Sequence, residues 1–343
     1  MKRLPIALLV AFVATAFLAA EESMLIDFTE LGADVVIDPD SQTPTDNEAT
    51  LIDFSDVAGF TFSADELALM KTSLALGNWE VLLAPSARTV ENENLSRAVE
   101  VITGPGTKPF YGEKMADKKL LGVRVHFPDA PFNSWAMLRP PFEIPAYEDK
   151  TEFDGSDLIP TPAEEGKGDK FDGFGVVKNV GVLKSVAVTL YGSNFPHGVG
   201  IVLANELGEE QHIFLGYMNF DGWRTITWTN PHYITEVRNR SLARLPLYPT
   251  SHPFVKLLGI MVYKDASQAG GDVFAYFKDI KITFDLAVLD LERDISEEEI
   301  WGVLKQRQRK NKIAAFKKLG EVQVLRYYER QRMHDVVTPS DQN

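Results

Sequence analysis

No cysteine occurs among the 343 residues, so no disulfide supports the fold, and neither a thiolate metal ligand nor a thiol nucleophile is on offer. The hydrolase elbow GxSxG and the zinc-binding HExxH are missing as well. Six histidines (His126, His197, His212, His232, His252 and His334) are scattered without a second ligand at helical spacing, and read as surface or loop positions rather than a metal site. GFGVVK (Gly173–Lys178) and GVGIVL (Gly198–Leu203) begin like phosphate loops but lack the third glycine and the following helix. Asp38, Asp40, Asp46 and Glu48 have neither the glycine nor the bidentate glutamate of an EF-hand loop, so a solvated acidic loop is a plainer reading than a calcium site. With 49 acidic residues, some pair will stand at glycosidase separation by chance, which argues nothing. No catalytic, cofactor-binding or metal-binding residue is assigned, and an enzyme is not expected.

Long apolar runs are also missing after residue 20, so no later segment is long enough to span a bilayer. Before it, Lys2 and Arg3 precede an apolar stretch from Leu4 to Ala20 that closes on small residues ahead of Glu21. This is the pattern of a secretory signal peptide over 1–20. A buried N-terminal helix is the alternative, and the lack of a polar face counts against it. The expectation is an exported, periplasmic chain without a membrane anchor, whose 45% hydrophobic content suffices for a sizeable core.

Removal of Lys2 and Arg3 moves the formal charge from −14 to −16, and its distribution matters more than its sum. Lys305–Arg332 carries ten basic and two acidic residues, a net +8, so Glu21–Leu304 holds −22 once Asp335 and Asp341 are allowed for. Export removes nucleic acid as the partner of that basic tail and leaves an anionic surface, an anionic lipid or an acidic protein. Lys305, Arg309, Lys312 and Lys317 are its candidate contact residues; a solvated basic helix face is the plainer alternative.

Period-2 alternation marks strands at Leu120–Phe127, Ser185–Tyr191, Val199–Asn205, Gln211–Tyr217, Trp223–Thr229, Val255–Tyr263 and Val273–Phe284, with Phe274, Tyr276, Ile280, Ile282 and Phe284 on one side of the last. LIDFTE (Leu25–Glu30), LIDFSD (Leu51–Asp56) and Trp79–Leu83 are shorter strand candidates. Ser63 and Glu66 form a capping box for a helix near 64–76, with Leu67, Met70 and Leu74 apolar and Gly77 ending it. Five prolines between Pro128 and Pro145 argue against a central strand and for a rigid loop or an edge. Phe132, Trp135, Arg139 and Phe142 within it are candidate interface residues, with core packing the alternative. Thr151–Lys170 reads as a long flexible loop. Ser296 and Glu299 cap a helix with Ile300, Trp301 and Leu304 as its stripe; after Gly320 a second follows, with Val322, Leu325 and Tyr328 apolar. The expected fold is mainly β: an antiparallel β-sandwich of jelly-roll type over 21–290, similar to galactose-binding and carbohydrate-binding modules. A basic helical tail over 291–335 and a disordered end over 336–343 follow it.

Four stretches, Asp65–Arg88, Leu121–Tyr147, Phe171–Tyr233 and Arg238–Ile282, with PPFEIPAY, NFDGWRT, PLYPTSHPF and KDASQAGGD in fixed order, resemble the spirochaetal flagellar filament outer-layer proteins of FlaA type. The resemblance covers most of Met24–Leu289 and is weaker in Asp38–Asn47 and beyond Asp290. It implies a non-enzymatic sheath subunit that coats the core of a periplasmic flagellum and supports motility. It also implies core flagellins of FlaB type and other sheath subunits as partners, with no cofactor. The competing class is an exported carbohydrate-binding module, which should show coplanar exposed aromatic rings in a concave groove.

Overall fold

The computed structural model describes residues 20–37, 43–47, 49–53, 63, 65–66, 71–144, 151–153, 158–160, 174–242, 253–287 and scattered positions from 301 to 329. Its sandwich strands are β1 (Glu21–Asp27), β2 (Glu80–Leu83), β3 (Arg97–Ile102), β4 (Lys119–Phe127), β5 (Ser134–Arg139) and β6 (Val176–Lys178). They continue as β7 (Val180–Ser193), β8 (Gly198–Asn205), β9 (Glu210–Tyr217), β10 (Asp221–Thr229), β11 (Phe254–Lys264) and β12 (Gly271–Leu286). Sheet one runs β10-β7-β12-β4-β3 and sheet two β9-β8-β11-β5-β2. Every pairing is antiparallel. The longest strand of each sheet carries two partners in tandem along one edge. On β12, β4 takes Gly271–Phe277 and β1 takes Asp279–Phe284; on β11, β5 and β6 share the edge in the same way.

Alternation decides which face is buried. Val186, Val188 and Leu190 of β7 are sealed in the core with Ile280 and Ile282 of β12 and Val199 and Ile201 of β8, while Tyr191 on the other face is only half-buried. Leu25, Ile26, Phe28, Leu31, Leu74, Leu76 and Trp79 join the same cluster, so the N-terminal segment is part of the core.

Three expectations change. Ser134–Arg139 is an interior strand, hydrogen-bonded to β11 and β2 on its two sides. Its prolines fall at 128, 131, 140, 141 and 145, all outside the ladder, so no donor is lost from it. Within the helix expected near 64–76, Lys71–Ser73 is instead a strand paired with Leu51–Asp53, and Leu76–Asn78 is a 3-10 turn. Leu74 and Leu76 are nonetheless fully buried, Asp65 and Glu66 are helical, and Leu67 and Met70 lie outside the described residues. The capping bonds do form, with Ser63 N donating to Glu66 Oε2 at 2.8 Å and Glu66 N to Ser63 Oγ at 3.4 Å. Finally, β12 does not keep one face throughout. Opposite β7 its register slips between Phe277 and Asp279, so Val273, Ala275 and Phe277 fill the core before the slip and Ile280, Ile282 and Phe284 after it. Phe274 and Tyr276 therefore stand on the other face.

Two helices escape the sequence pattern. In α1 (Val90–Leu95), Thr89 Oγ1 caps Asn92 N at 3.1 Å and Asn92 Nδ2 reaches back to Ala87 O at 2.7 Å. α2 (Tyr233–Leu242) is pinned where Tyr233 Oη donates to Asp285 at 2.7 Å. Burial, then the bond to Asp285, pushes that phenol up to about 12. Within the segment expected as a flexible loop, Thr151–Phe153 and Leu158–Pro160 pair as antiparallel strands, and Asp46 lies in a short strand paired with Val35–Ile37. The signal-peptide residues before 20, the acidic residues at 38–42 and most of 154–173 lie outside the described residues.

Candidate contact surface

At one end of the sandwich three loops meet: 128–133, 194–197 and 265–270. Asn133 Oδ1 accepts from Ala266 N at 2.8 Å, Gln268 Oε1 from Asp265 N at 3.0 Å, and Asp265 Oδ2 from Tyr217 Oη at 3.0 Å. The carboxylate raises the Tyr217 phenol through that bond. The loops approach so closely that a Cβ on Gly270 would lie 2.5 Å from backbone atoms of Pro128 and Asp129. Glycine in KDASQAGGD is thus a packing requirement.

Beneath the loops, the last inward-facing layer of sheet two is polar. Lys264 stands opposite Ser134 in register, is almost fully buried, and donates to Ala130 O at 3.1 Å. His197, just before β8, stacks on Phe127 at 5.5 Å, and neither of its ring nitrogens has a partner. Burial first, then the nearby Lys264 ammonium, pulls His197 down to about 4, with Asp265 opposing. A histidine depressed in the folded state stabilises the fold fully above its unfolded value near 6.5, and this contribution fades as the pH falls through 4. His197→Phe is therefore expected to remove about 2–3 kcal/mol of acid destabilisation between those limits. Urea midpoints at pH 7 and pH 4 check this; an unchanged pH dependence would refute it.

The outer faces carry aromatic residues, but not as flat platforms. On sheet one Trp223 meets Tyr191 at 5.5 Å and 78°, and Tyr191 meets Tyr276 at 6.1 Å and 69°. On sheet two Phe214 meets Tyr217 at 5.3 Å and 71°, and Tyr263 at 5.9 Å and 56°. Edge-to-face pairs lock rings into one another. They do not present the coplanar faces on which sugar rings stack.

The expected interface residues are not gathered into one patch. Trp135 is half-buried, packs against the core and stands opposite Tyr263. Arg139 is exposed and pairs with Glu80 at 3.0 Å. Phe132 lies against the buried Lys264, whose ammonium is 5.9 Å from its ring. Phe142 is buried within the core cluster, which makes it a packing residue rather than a contact residue. Arg309 and Lys317 are helical locally and exposed, as are Trp301, Leu325 and Tyr328; Lys305 and Lys312 lie outside the described residues. Tyr328 Oη donates to Glu66 Oε1 at 2.8 Å, so the tail touches the body of its own chain beside the Ser63–Glu66 cap. The Ser63 amide first, and then Tyr328, lowers the Glu66 carboxyl.

Charge networks, missed in the sequence because their members are distant in it, tie the outer face of sheet one. Asp272 receives Arg124 through two bonds of 3.0 and 2.7 Å and lies 2.8 Å from His126 Nδ1. Arg124, chiefly through its hydrogen bonds, holds the Asp272 carboxyl low. At the register slip, Lys278 Nζ is bonded to Asp279 Oδ2 at 2.5 Å and to Glu113 at 3.0 Å. Burial pulls its pKa down, but these two partners outweigh burial and raise it. Glu113 comes from the loop before β4, whose Phe110 leans on Trp223 at 6.2 Å.

Among the described residues no group of three or more His, Asp or Glu could hold a metal ion, and no helix is long and apolar enough to cross a membrane. The described residues form a β-sandwich held by packing and ion pairs. The sequence matches the family described as flagellar filament outer layer protein Flaa over residues 43–293, and the chain belongs to that family. Proteins called flagellar filament outer layer protein are similar along nearly the whole chain. That of Treponema pallidum (strain Nichols) is 42% identical, covering 99% of this chain and 97% of its own. That of Spirochaeta aurantia is 41% identical, covering 94% and 90%. The Borreliella burgdorferi protein is 26% identical, covering 82% and 74%. Among solved structures, a carbohydrate-binding module complexed with β-1,4-galactotriose matches 61% of this chain and 90% of its own at 10% identity, with a TM-score of 0.27.

Proposed function

We propose that the chain is a structural subunit of the outer layer, or sheath, of a spirochaete periplasmic flagellar filament, exported through its signal peptide and supporting motility. The observation that carries this reading is the family match, together with two relatives above 40% identity over nine-tenths or more of both chains. Core flagellins and other sheath subunits are its partners in this reading. The edge-to-face rings favour a protein-contact surface over the carbohydrate-binding alternative. The first strand of the sandwich opens at Glu21, the residue after the proposed leader.

The basic tail over 291–335 is read as a helical docking element, held to an acidic surface by the split between +8 and −22. Surface ion pairs add only ~0–1 kcal/mol each but set encounter rate and register. In cells whose only copy is the full chain, filaments recovered from the periplasm should carry it with Glu21 as the mature N-terminus. A chain truncated after Asp294 should still melt cooperatively yet be largely lost from filaments, and raised salt should strip the full chain in the same way. A full chain absent from filaments would overturn the sheath reading. An unfolded truncation would make the tail part of the core. A folded truncation that coats filaments at every salt concentration would move the contact to the surface around Trp135 and Arg139.

A further inference from the structure

Among the described residues no strand pairs with the outer edge of β10 or of β3. Asp221–Thr229 (DGWRTITWT) and Arg97–Ile102 (RAVEVI) contain no proline and no lysine, and none of their residues is buried. Val99 and Ile102 are markedly exposed. Unpaired, regular, proline-free edges are templates for a further strand. Because sheet one places five strands antiparallel between these limits, β10 and β3 run in the same direction. A second copy, shifted sideways without being turned over, would bring its β3 alongside β10 as a parallel pair with inner and outer faces matched.

We propose that copies of this chain join head to tail by this pairing, β10 of one beside β3 of the next, so that sheet one continues through a row of subunits. In one register the chemistry matches along the whole contact. Arg97 stands beside Asp221 and Val99 beside Trp223 on the outer face, while Glu100 stands beside Arg224 and Ile102 beside Ile226 on the inner. Two opposite-charge pairs thus alternate with two apolar pairs, and opposite charges on neighbouring strands favour one register over its slips. Arg224 is exposed, its guanidinium 4.4 Å from the Phe220 ring, and Glu100 lies 3.5 Å from Lys119, so both are held near the rim. A contact between unlike edges leaves one free edge of each kind on every added subunit, and where the rotation between copies does not close a ring it generates a row. The proposal rests on the sheath reading, which supplies many copies on one filament.

The lack of natural cysteine makes the test clean. Full-length Arg97→Cys/Asp221→Cys should replace the natural chain in cells, and isolated sheathed filaments should be oxidised. The expected result is a ladder of dimers, trimers and higher species, absent from either single variant, since neighbouring strands lie within disulfide reach. A layer present by electron microscopy without a ladder would overturn the edge contact and leave the sheath reading standing. Dimers from Asp221→Cys alone would overturn it in favour of β10 meeting β10. Should the double cysteine variant fail to fold, charge reversal decides. Arg224→Glu should reduce filament occupancy at least tenfold, and Glu100→Arg in the same chain should restore it. No restoration overturns the proposal, whereas absence of even the natural chain from filaments overturns the sheath reading itself.

Discussion

Lys278→Met is expected to cost about 3–5 kcal/mol of folding stability, because removing one member of a buried ion pair leaves the other charge uncompensated. Asp279 is 2% exposed, and its Oδ1 has no hydrogen-bond partner even with Lys278 in place. Without Lys278, the remaining carboxylate oxygen would lose its donor too, and Glu113 would lose its hold from the loop that covers Trp223. Lys278→Met/Asp279→Leu should recover most of the loss, since an apolar pair of similar volume needs no counter-charge. Urea unfolding of the three proteins at neutral pH is the measurement; a double variant no better than the single would show that the pair itself is not the cause. The natural protein should also lose this contribution as the pH rises above the ordinary lysine value of about 10.4, because Lys278 is raised in the fold.

Trp79→Ala should cost about 3–5 kcal/mol by leaving a large cavity in the core. The ring meets Phe28 edge-on at 5.3 Å and 75°, and its Nε1 donates to Leu74 O at 3.0 Å. The substitution therefore opens the contact between the N-terminal segment and sheet two, and leaves a buried carbonyl without its donor. A midpoint shift below the equivalent of about 1 kcal/mol would mean that the segment closes over the gap.

Strands β7 to β12 were legible because burial on one face imposes a period of two, and all begin and end within five residues of their expected limits, whereas β3 and β6 were not expected. The failures have local causes. Proline at 128, 131, 140, 141 and 145 reads as a barrier until its spacing leaves an unbroken six-residue strand between the second and third. The slip at Lys278 is invisible to a pattern that assumes constant alternation, which puts Phe274 and Tyr276 on the wrong face. α1 has six residues and α2 no continuous apolar stripe, so neither displays a helical period. Of the surface, Trp135 and Arg139 were legible by residue type. Phe142 was not separable from them, because its burial depends on chain packing beyond the proline pair. Whether β3 and β10 are edges could not be read at all, since an edge is defined by which strands fail to arrive beside it.

The odd number of strands between β10 and β3 has a consequence for architecture. An even number would leave the two limits of the sheet antiparallel, and copies added by simple translation would meet with opposed strands. Five strands give the sheet a vector: each subunit has a leading and a trailing side that differ in residues but not in heading. A row built on that vector has a beginning and an end, so one terminus can be anchored or blocked while the other grows. The row is thereby matched in polarity to any core that itself grows from one end.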